Sequence, residues 1–117
     1  MSGQEKINYI ELPANDLKAI KAFYSSVFGW VFADYGPDYI AFANSGLDGG
    51  FYRSSKKSVV ADGAALVVLY SKDLQQTQSN IIAAGGIVVK PVFSFPGGRR
   101  FHFTDPCGNE LAVWSEQ

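Results

Sequence analysis

The sequence has few of the residues that build metal clusters and disulfides, and it has no long apolar run. It contains one cysteine, Cys107, and one histidine, His102, so an internal disulfide and a cysteine zinc cluster are both excluded. No stretch approaches the ~18 apolar residues of a membrane span, and residues 1–6 lack the apolar core of a signal peptide. We therefore expect a cytoplasmic protein that has no membrane partner.

An excess of charge of either sign is also missing. The formal net charge is −1 at pH 7, which provides no electrostatic attraction to nucleic acid or to an anionic membrane surface. The 117 residues are 47% hydrophobic and 15% aromatic, enough for one domain with its own core. We therefore predict a single domain, residues 1–117, that does not bind nucleic acid.

The hydrophobic pattern passes from strand to helix to three strands and then starts again. Asp16-Leu17 opens the first predicted helix as Asp73-Leu74 opens the second, and in both places the aspartate offers an acceptor to free helix amides. The predicted strands are residues 6–13, 30–33, 39–43 and 50–53 in the first half and 64–70, 87–92, 100–104 and 110–114 in the second. The pattern predicts two β-α-β-β-β modules, residues 5–54 and 63–116, joined by a polar connector, residues 55–62.

Three segments carry a family resemblance: residues 10–30 (IELPANDLKAIKAFYSSVFGW), residues 72–86, which end in Gly-Gly, and residues 103–114 (FTDPCGNELAVW). In this order they resemble the vicinal oxygen chelate superfamily of glyoxalases, bleomycin-resistance proteins and extradiol dioxygenases, over almost the whole chain. The resemblance implies an α+β fold in which the two modules form a curved, open, half-barrel mixed sheet. The helices would cover its convex face, and a small-molecule cavity would lie on its concave face.

The resemblance also indicates where metal ligands would lie, on the first and last strands of each module. The matching positions are Tyr9, Gly50, Leu66 and Ala112. Leucine, alanine and glycine side chains have no donor atom, and a neutral tyrosine is a poor ligand for divalent metals. A shift of one residue at Gly50 brings Phe51, which is no better. We therefore expect neither a metal nor another cofactor, and we expect no metal-dependent lyase or dioxygenase activity.

Strand alternation predicts which residues line the cavity. Ile10 and Leu12 are apolar and suit the helix side, so Tyr9 and Glu11 point the other way. The same parity places Trp114 on the cavity side. The predicted ligand-binding residues are Tyr9, Phe51, Leu66, Val68, Tyr70, Ala112 and Trp114.

Glu11 and His102 are the two candidates for catalysis. Parity places both on the cavity side, where a carboxylate and an imidazole can act as acid and base. For Glu11 the alternative is an ion pair or a hydrated carboxylate, and for His102 it is a hydrogen bond that only anchors the strand.

The glycine-rich segment 94–100 (SFPGGRR) has two interpretations, a mobile lid that presents a cation to an acidic ligand or a solvated hairpin loop. Cys107 lies in the predicted turn 105–109, where we expect it to be exposed and without a function.

Three functions remain open. The first is a metal-free protein of the glyoxalase and bleomycin-resistance type that holds a small organic molecule in the cavity. The second is an isomerase or epimerase that uses Glu11 and His102, and the third is a metalloenzyme whose ligand positions are shifted. Relatives usually complete the cavity with a second domain or chain, so the resemblance implies a homodimer.

Overall fold

The computed structural model describes residues 4–117, and its contacts divide the chain into two units, residues 1–56 and 57–117. The first unit comprises β1 (Tyr9–Ala14), α1 (Leu17–Phe28), β2 (Val31–Asp34), β3 (Tyr39–Ala43) and β4 (Asp48–Arg53). The second comprises a short 3₁₀ helix (Val60–Asp62), β5 (Val67–Tyr70), α2 (Leu74–Ala83), β6 (Ile87–Phe95), β7 (Gly98–Thr104) and β8 (Glu110–Ser115).

Each unit contains one mixed, open four-stranded sheet. The strand order is β1-β4-β3-β2 in the first and β5-β8-β7-β6 in the second, so both have the same topology. The pairs β1–β4 and β5–β8 are parallel, and the other neighbours are antiparallel. The predicted α+β class and the two β-α-β-β-β modules are confirmed.

Both helices begin where the aspartates predict. The amide of Ala19 donates to Asp16 Oδ1 (3.0 Å), and the amide of Gln76 donates to Asp73 Oδ1 (3.1 Å). Gly29 ends α1 with φ 72°, a left-handed conformation that favours glycine. Within residues 4–117 neither helix has the length and hydropathy that a membrane crossing requires.

The core of the first unit lies between α1 and its sheet and is largely aromatic. Tyr24 stacks on Trp30, with ring centroids 4.5 Å apart, and contacts Phe51 at 5.4 Å. Phe51 is fully buried. The prediction that Phe51 binds ligand is therefore corrected, because its position on β4 directs the ring under α1 and into the core.

The core of the second unit lies between α2 and its sheet. Phe101 and Phe103 on β7 alternate with His102, and Leu111 and Val113 on β8 alternate with Ala112. The fully buried apolar side chains here are Ile81, Phe101, Phe103, Leu111 and Val113. The opposite parity directs His102 and Trp114 to the face opposite α2.

Part of the predicted connector is held to the last hairpin. The Ser58 amide donates to Asn109 Oδ1 (2.9 Å), and the Glu110 amide donates to the Ser58 carbonyl (2.8 Å). Residues from 57 onward thus belong to the second unit by their contacts.

Cys107 is buried, contrary to the prediction that it is exposed. Its backbone amide donates to Asp105 Oδ1 (2.9 Å), which turns the chain so that the thiol points inward. A burial of this kind removes the residue from contact with solvent oxidants.

The glycine-rich segment 94–100 is a β-hairpin with an exposed turn, in agreement with the second of its two interpretations. It forms the ends of β6 and β7, where Phe95 pairs with Gly98 across the turn at Pro96-Gly97. Gly97 adopts φ 117°, which an L side chain rarely allows. The ladder pairing therefore fixes Arg100 on a regular strand.

Candidate functional site

A chain of hydroxyls leads to Glu11 on the face of the first sheet opposite α1. The Tyr39 hydroxyl donates to Glu11 Oε2 (2.9 Å), and the Tyr9 hydroxyl lies 2.7 Å from that of Tyr39. Because the Tyr39 proton is directed at the carboxylate, Tyr9 donates to the Tyr39 oxygen. Partial burial, followed by the hydrogen bonds to Tyr9 and Glu11, raises the pKa of Tyr39 well above 10.0.

Gly50 provides the space in which the Tyr39 hydroxyl lies. A β-carbon at residue 50 would overlap the hydroxyl and the adjoining ring carbon of Tyr39. Residue 50 pairs with Glu11 across the parallel β1–β4 ladder, which brings both onto the same face. The first module therefore presents tyrosine hydroxyls and a carboxylate where the resemblance predicts metal ligands.

The second module has a hollow on the face opposite α2, lined by Val68, Phe95, Arg100 and Trp114. Its volume is about 240 Å³. Phe95 and Trp114 lie with ring centroids 6.3 Å apart, and Tyr70 extends the aromatic lining at 5.3 Å from Trp114. The Tyr70 hydroxyl donates to Glu116.

Arg100 brings the only charge among these four lining residues. Its Cζ atom lies 5.3 Å from the Phe93 ring centroid and 5.7 Å from the Phe95 ring centroid. Cations attract aromatic rings at such separations, so the guanidinium is held between two phenylalanines of β6.

His102 on β7 and Glu110 on β8 form a pair in which His102 is buried and Glu110 is partly buried. Nδ1 of His102 lies 2.8 Å from Glu110 Oε2, and the His102 side chain is 5% exposed. The hydrogen bond from His102 lowers the pKa of Glu110 below 4.5, more than its partial burial raises it. An ionised carboxylate only accepts, so Nδ1 carries the proton of this hydrogen bond. Nε2 is buried and has no partner within residues 4–117.

The two predicted catalytic residues lie in different units, and each has its own partner. Glu11 accepts from Tyr39 in the first, and His102 pairs with Glu110 in the second. Neither Tyr39 nor Glu110 was predicted. Glu110 has the same parity as Ala112 and Trp114 on β8. Strand alternation could therefore have predicted that Glu110 lies on the same face of the sheet as His102.

The remaining predicted ligand-binding residues differ in their surroundings. Tyr9, Val68 and Tyr70 are exposed, and Trp114 is half-buried in the hollow. Leu66 precedes β5 and is half-buried, whereas Ala112 is fully buried between its ladder partners Val68 and His102.

The side chains at the matched ligand positions do not fit a divalent metal. Gly50, Leu66 and Ala112 have no donor atom, and the Tyr9 hydroxyl is engaged with Tyr39. Within residues 4–117 no three histidine, cysteine, aspartate or glutamate side chains lie together in a geometry able to hold a metal ion.

The two β-α-β-β-β modules agree with the fold that the sequence resemblance implies. The family model of the Glyoxalase/Bleomycin resistance protein/Dioxygenase superfamily matches residues 6–113. The chain belongs to this superfamily, as the sequence resemblance predicts. A comparison with curated proteins found no match.

Solved structures share the fold at low sequence identity. A glyoxalase-related enzyme from Fulvimarina pelagi is 20% identical with a TM-score of 0.76, and the match covers 95% of this chain and 88% of that one. A glyoxalase/bleomycin resistance protein/dioxygenase family enzyme from Burkholderia phytofirmans PsJN is 17% identical with a TM-score of 0.79, covering 94% and 98%. A lactoylglutathione lyase from Agrobacterium tumefaciens is 21% identical with a TM-score of 0.72, covering 97% and 95%. These identities show a common fold alone.

Proposed function

We propose that this chain is a small-molecule-binding protein of the glyoxalase and bleomycin-resistance type that acts without a metal. The hollow lined by Val68, Phe95, Arg100 and Trp114 carries the proposal, because it combines an aromatic lining with one cationic group. Ligand sites in proteins are concave and mostly apolar, with a few polar groups that orient the ligand.

The lining favours a planar organic ligand. Stacking on an aromatic side chain contributes about 0.5–1.5 kcal/mol beyond the burial of apolar area. The volume of about 240 Å³ lies below the range of roughly 300–1,000 Å³ that is usual for drug-sized ligands. A molecule of one or two fused rings matches this size.

In the first module we propose that Tyr9 and Glu11 also take part in recognition. Their hydrogen-bond chain ends in lone pairs of Tyr9 and in a carboxylate, so it offers acceptors to a ligand. We propose in addition that the functional form is a homodimer, as the family resemblance implies, and that it is located in the cytoplasm.

Calorimetric titration with 1-naphthamide, a neutral planar probe, tests the binding function. We expect saturable binding that weakens at least tenfold, about 1.4 kcal/mol, in Trp114→Ala. Tyr35→Ala is the matched control, because Tyr35 is an exposed aromatic residue of the first unit. Near-ultraviolet circular dichroism verifies that both variants fold. Equal binding by Trp114→Ala would contradict the proposal, and so would the absence of binding both of 1-naphthamide and of its carboxylate analogue 1-naphthoate.

A second candidate is an enzyme that transfers protons, such as an isomerase or epimerase with Glu11 and His102. The hydrogen bond between His102 Nδ1 and Glu110 favours it, because a carboxylate partner orients the imidazole of an acid–base residue. Such a base would break a C–H bond next to a carbonyl and return a solvent proton. Exchange of the methyl protons of pyruvate in D₂O, followed by NMR, tests this candidate. Exchange that is lost in His102→Gln would support it, and exchange at the uncatalysed rate would oppose it.

A further inference from the structure

Unlike Lys21, Arg53 and Arg99, Arg100 has no polar partner within residues 4–117. Lys21 pairs with Asp34 at 2.7 Å, Arg53 pairs with Asp38 at 3.2 Å, and Arg99 Nε donates to the Gln117 carbonyl at 2.8 Å. Within residues 4–117, no carboxylate lies within 4 Å of the Arg100 guanidinium, and its Nε atom is buried without a hydrogen bond. A buried N–H group without an acceptor costs free energy. We therefore expect that a bound ligand provides a hydrogen-bond acceptor for Arg100.

Two carboxylates of the second unit, Glu110 and Glu116, already accept hydrogen bonds. Glu110 accepts from His102 and from the Val60 amide (3.2 Å), and Glu116 accepts from the Tyr70 hydroxyl. A second cation lies near Arg100 as well, since Lys90 Nζ is 4.7 Å from the centroid of the same Phe93 ring. Arg100 and Lys90 thus approach the same Phe93 ring as two cations.

The position of Arg100 is fixed from two sides. Its backbone pairs with Phe93 on β6 and with Trp114 on β8, in the middle of the second sheet. The guanidinium is confined by the rings of Phe93 and Phe95. Its planar fork is therefore held at the edge of the aromatic hollow before any ligand binds, which reduces the entropy lost on binding.

We infer that the ligand of the hollow is a planar organic acid whose carboxylate pairs with Arg100. This inference rests on the proposed binding function and names the class of its ligand. The guanidinium fork matches a carboxylate in two parallel hydrogen bonds. Trp114 and Phe95 would contact the ring of the same acid.

A pair of probes of equal shape tests the inference in the full chain. Titration calorimetry compares 1-naphthoate with 1-naphthamide, which differ only in the charged group. We expect naphthoate to bind wild type at least tenfold more tightly than naphthamide, and we expect its affinity to fall with added salt. In Arg100→Gln the preference should disappear while naphthamide binding stays within threefold of wild type.

Two further variants sharpen the result. Arg99→Gln removes a neighbouring arginine whose side chain has the opposite parity on β7, and it should keep the full preference for naphthoate. Arg100→Lys keeps the positive charge but removes the planar guanidinium, and it should lose most of the preference for naphthoate over naphthamide. If Arg100→Gln does not fold, Arg100→Lys replaces it in the test. Equal binding of both probes by wild type overturns the inference alone. Binding of neither probe overturns the proposed function and the inference with it.

Discussion

The Tyr39 hydroxyl lies against Gly50, in the space that a side chain at residue 50 would fill. The two residues are on neighbouring strands, β3 and β4, and both face away from α1. Because residue 50 is glycine, the hydroxyl can reach Glu11 on the far side of β4, at 2.9 Å. The absence of a side chain at Gly50 thus permits a hydrogen bond between β3 and β1, which are not neighbours in the sheet.

The first prediction follows from this contact: Gly50→Ala destabilises the protein. A β-carbon would overlap Tyr39, and the ring would have to leave its position and its hydrogen bond to Glu11. Overpacking of this kind costs about 1–3 kcal/mol. Urea denaturation should show a lower free energy of unfolding.

Tyr39→Ala provides the control for this change, because it removes the ring that the new β-carbon meets. Gly50→Ala should cost less in the Tyr39→Ala background than in wild type, and the difference is the interaction energy of a double-mutant cycle. An equal cost in both backgrounds would show that the destabilisation arises elsewhere.

The second prediction concerns alkaline pH. Burial and hydrogen bonding raise the pKa of Tyr39 above 10.0, so between pH 10 and that higher value the unfolded chain has lost a proton that the native chain retains. Stability conferred by Tyr39 is then complete below pH 10 and is lost as pH rises further. Denaturation midpoints between pH 8 and pH 11 should decline less steeply in Tyr39→Phe than in wild type. Tyr52→Phe, which removes an exposed ring hydroxyl on β4, should behave as wild type.

The third prediction concerns acid pH and the pair of His102 and Glu110. The hydrogen bond from His102 holds the pKa of Glu110 below 4.5, so the unfolded chain binds the proton first as pH falls. The stability that the native carboxylate confers is present above pH 4.5 and is lost as pH falls through the lower native pKa. Urea denaturation between pH 3 and pH 7 should therefore give a shallower acid limb for Glu110→Gln. His102→Gln should reduce the slope too, and an unchanged slope in both variants would refute the assignment.

The order and type of the elements could be predicted because the local signals are strong. Asp16 and Asp73 satisfy the free amides of the first helical turns, and the apolar spacing that follows has helical periodicity. Strand ends were less accurate: β6 continues to Phe95 because a tight turn at Pro96-Gly97 allows the ladder to extend. Glycine and proline in the sequence predict a turn there without fixing its length.

The site was only partly predictable, because parity gives the direction of a side chain but not its partner. Parity alone places Glu11, His102 and Trp114 on the faces opposite the helices. The hydrogen bond between Tyr39 and Glu11 depends on the strand order and on the space over Gly50. Neither of these can be predicted from strand alternation. The burial of Cys107 depends in the same way on the hydrogen bonds within its turn, among them those from the Cys107 and Asn109 amides to Asp105.

The fourth prediction is that the protein is a homodimer in solution. The face of the first sheet opposite α1 contains exposed apolar and aromatic side chains, among them Tyr9, Val31 and Tyr52. Such surfaces are commonly covered by a second copy in twofold symmetry. Light scattering at micromolar concentration should give about twice the 12.7 kDa mass of the chain. Val31→Asp, at a position 61% exposed, should shift the equilibrium toward monomer if this face is the interface, whereas a wild type that remains monomeric would refute the dimer.

The fifth prediction is that no divalent metal binds tightly. A tight site usually requires at least three protein donors, and the matched positions Gly50, Leu66 and Ala112 supply none. His102 cannot replace them, because its Nδ1 is engaged with Glu110 and its Nε2 is buried. Elemental analysis after dialysis against zinc, nickel, manganese or iron(II) should give less than about one-tenth of a metal ion per chain. Introducing donors as Ala112→Glu should not by itself create a site, since a single carboxylate is too few. Near-stoichiometric metal in wild type, lost in His102→Gln, would instead show that the ligands lie at other positions and would restore the metalloenzyme hypothesis.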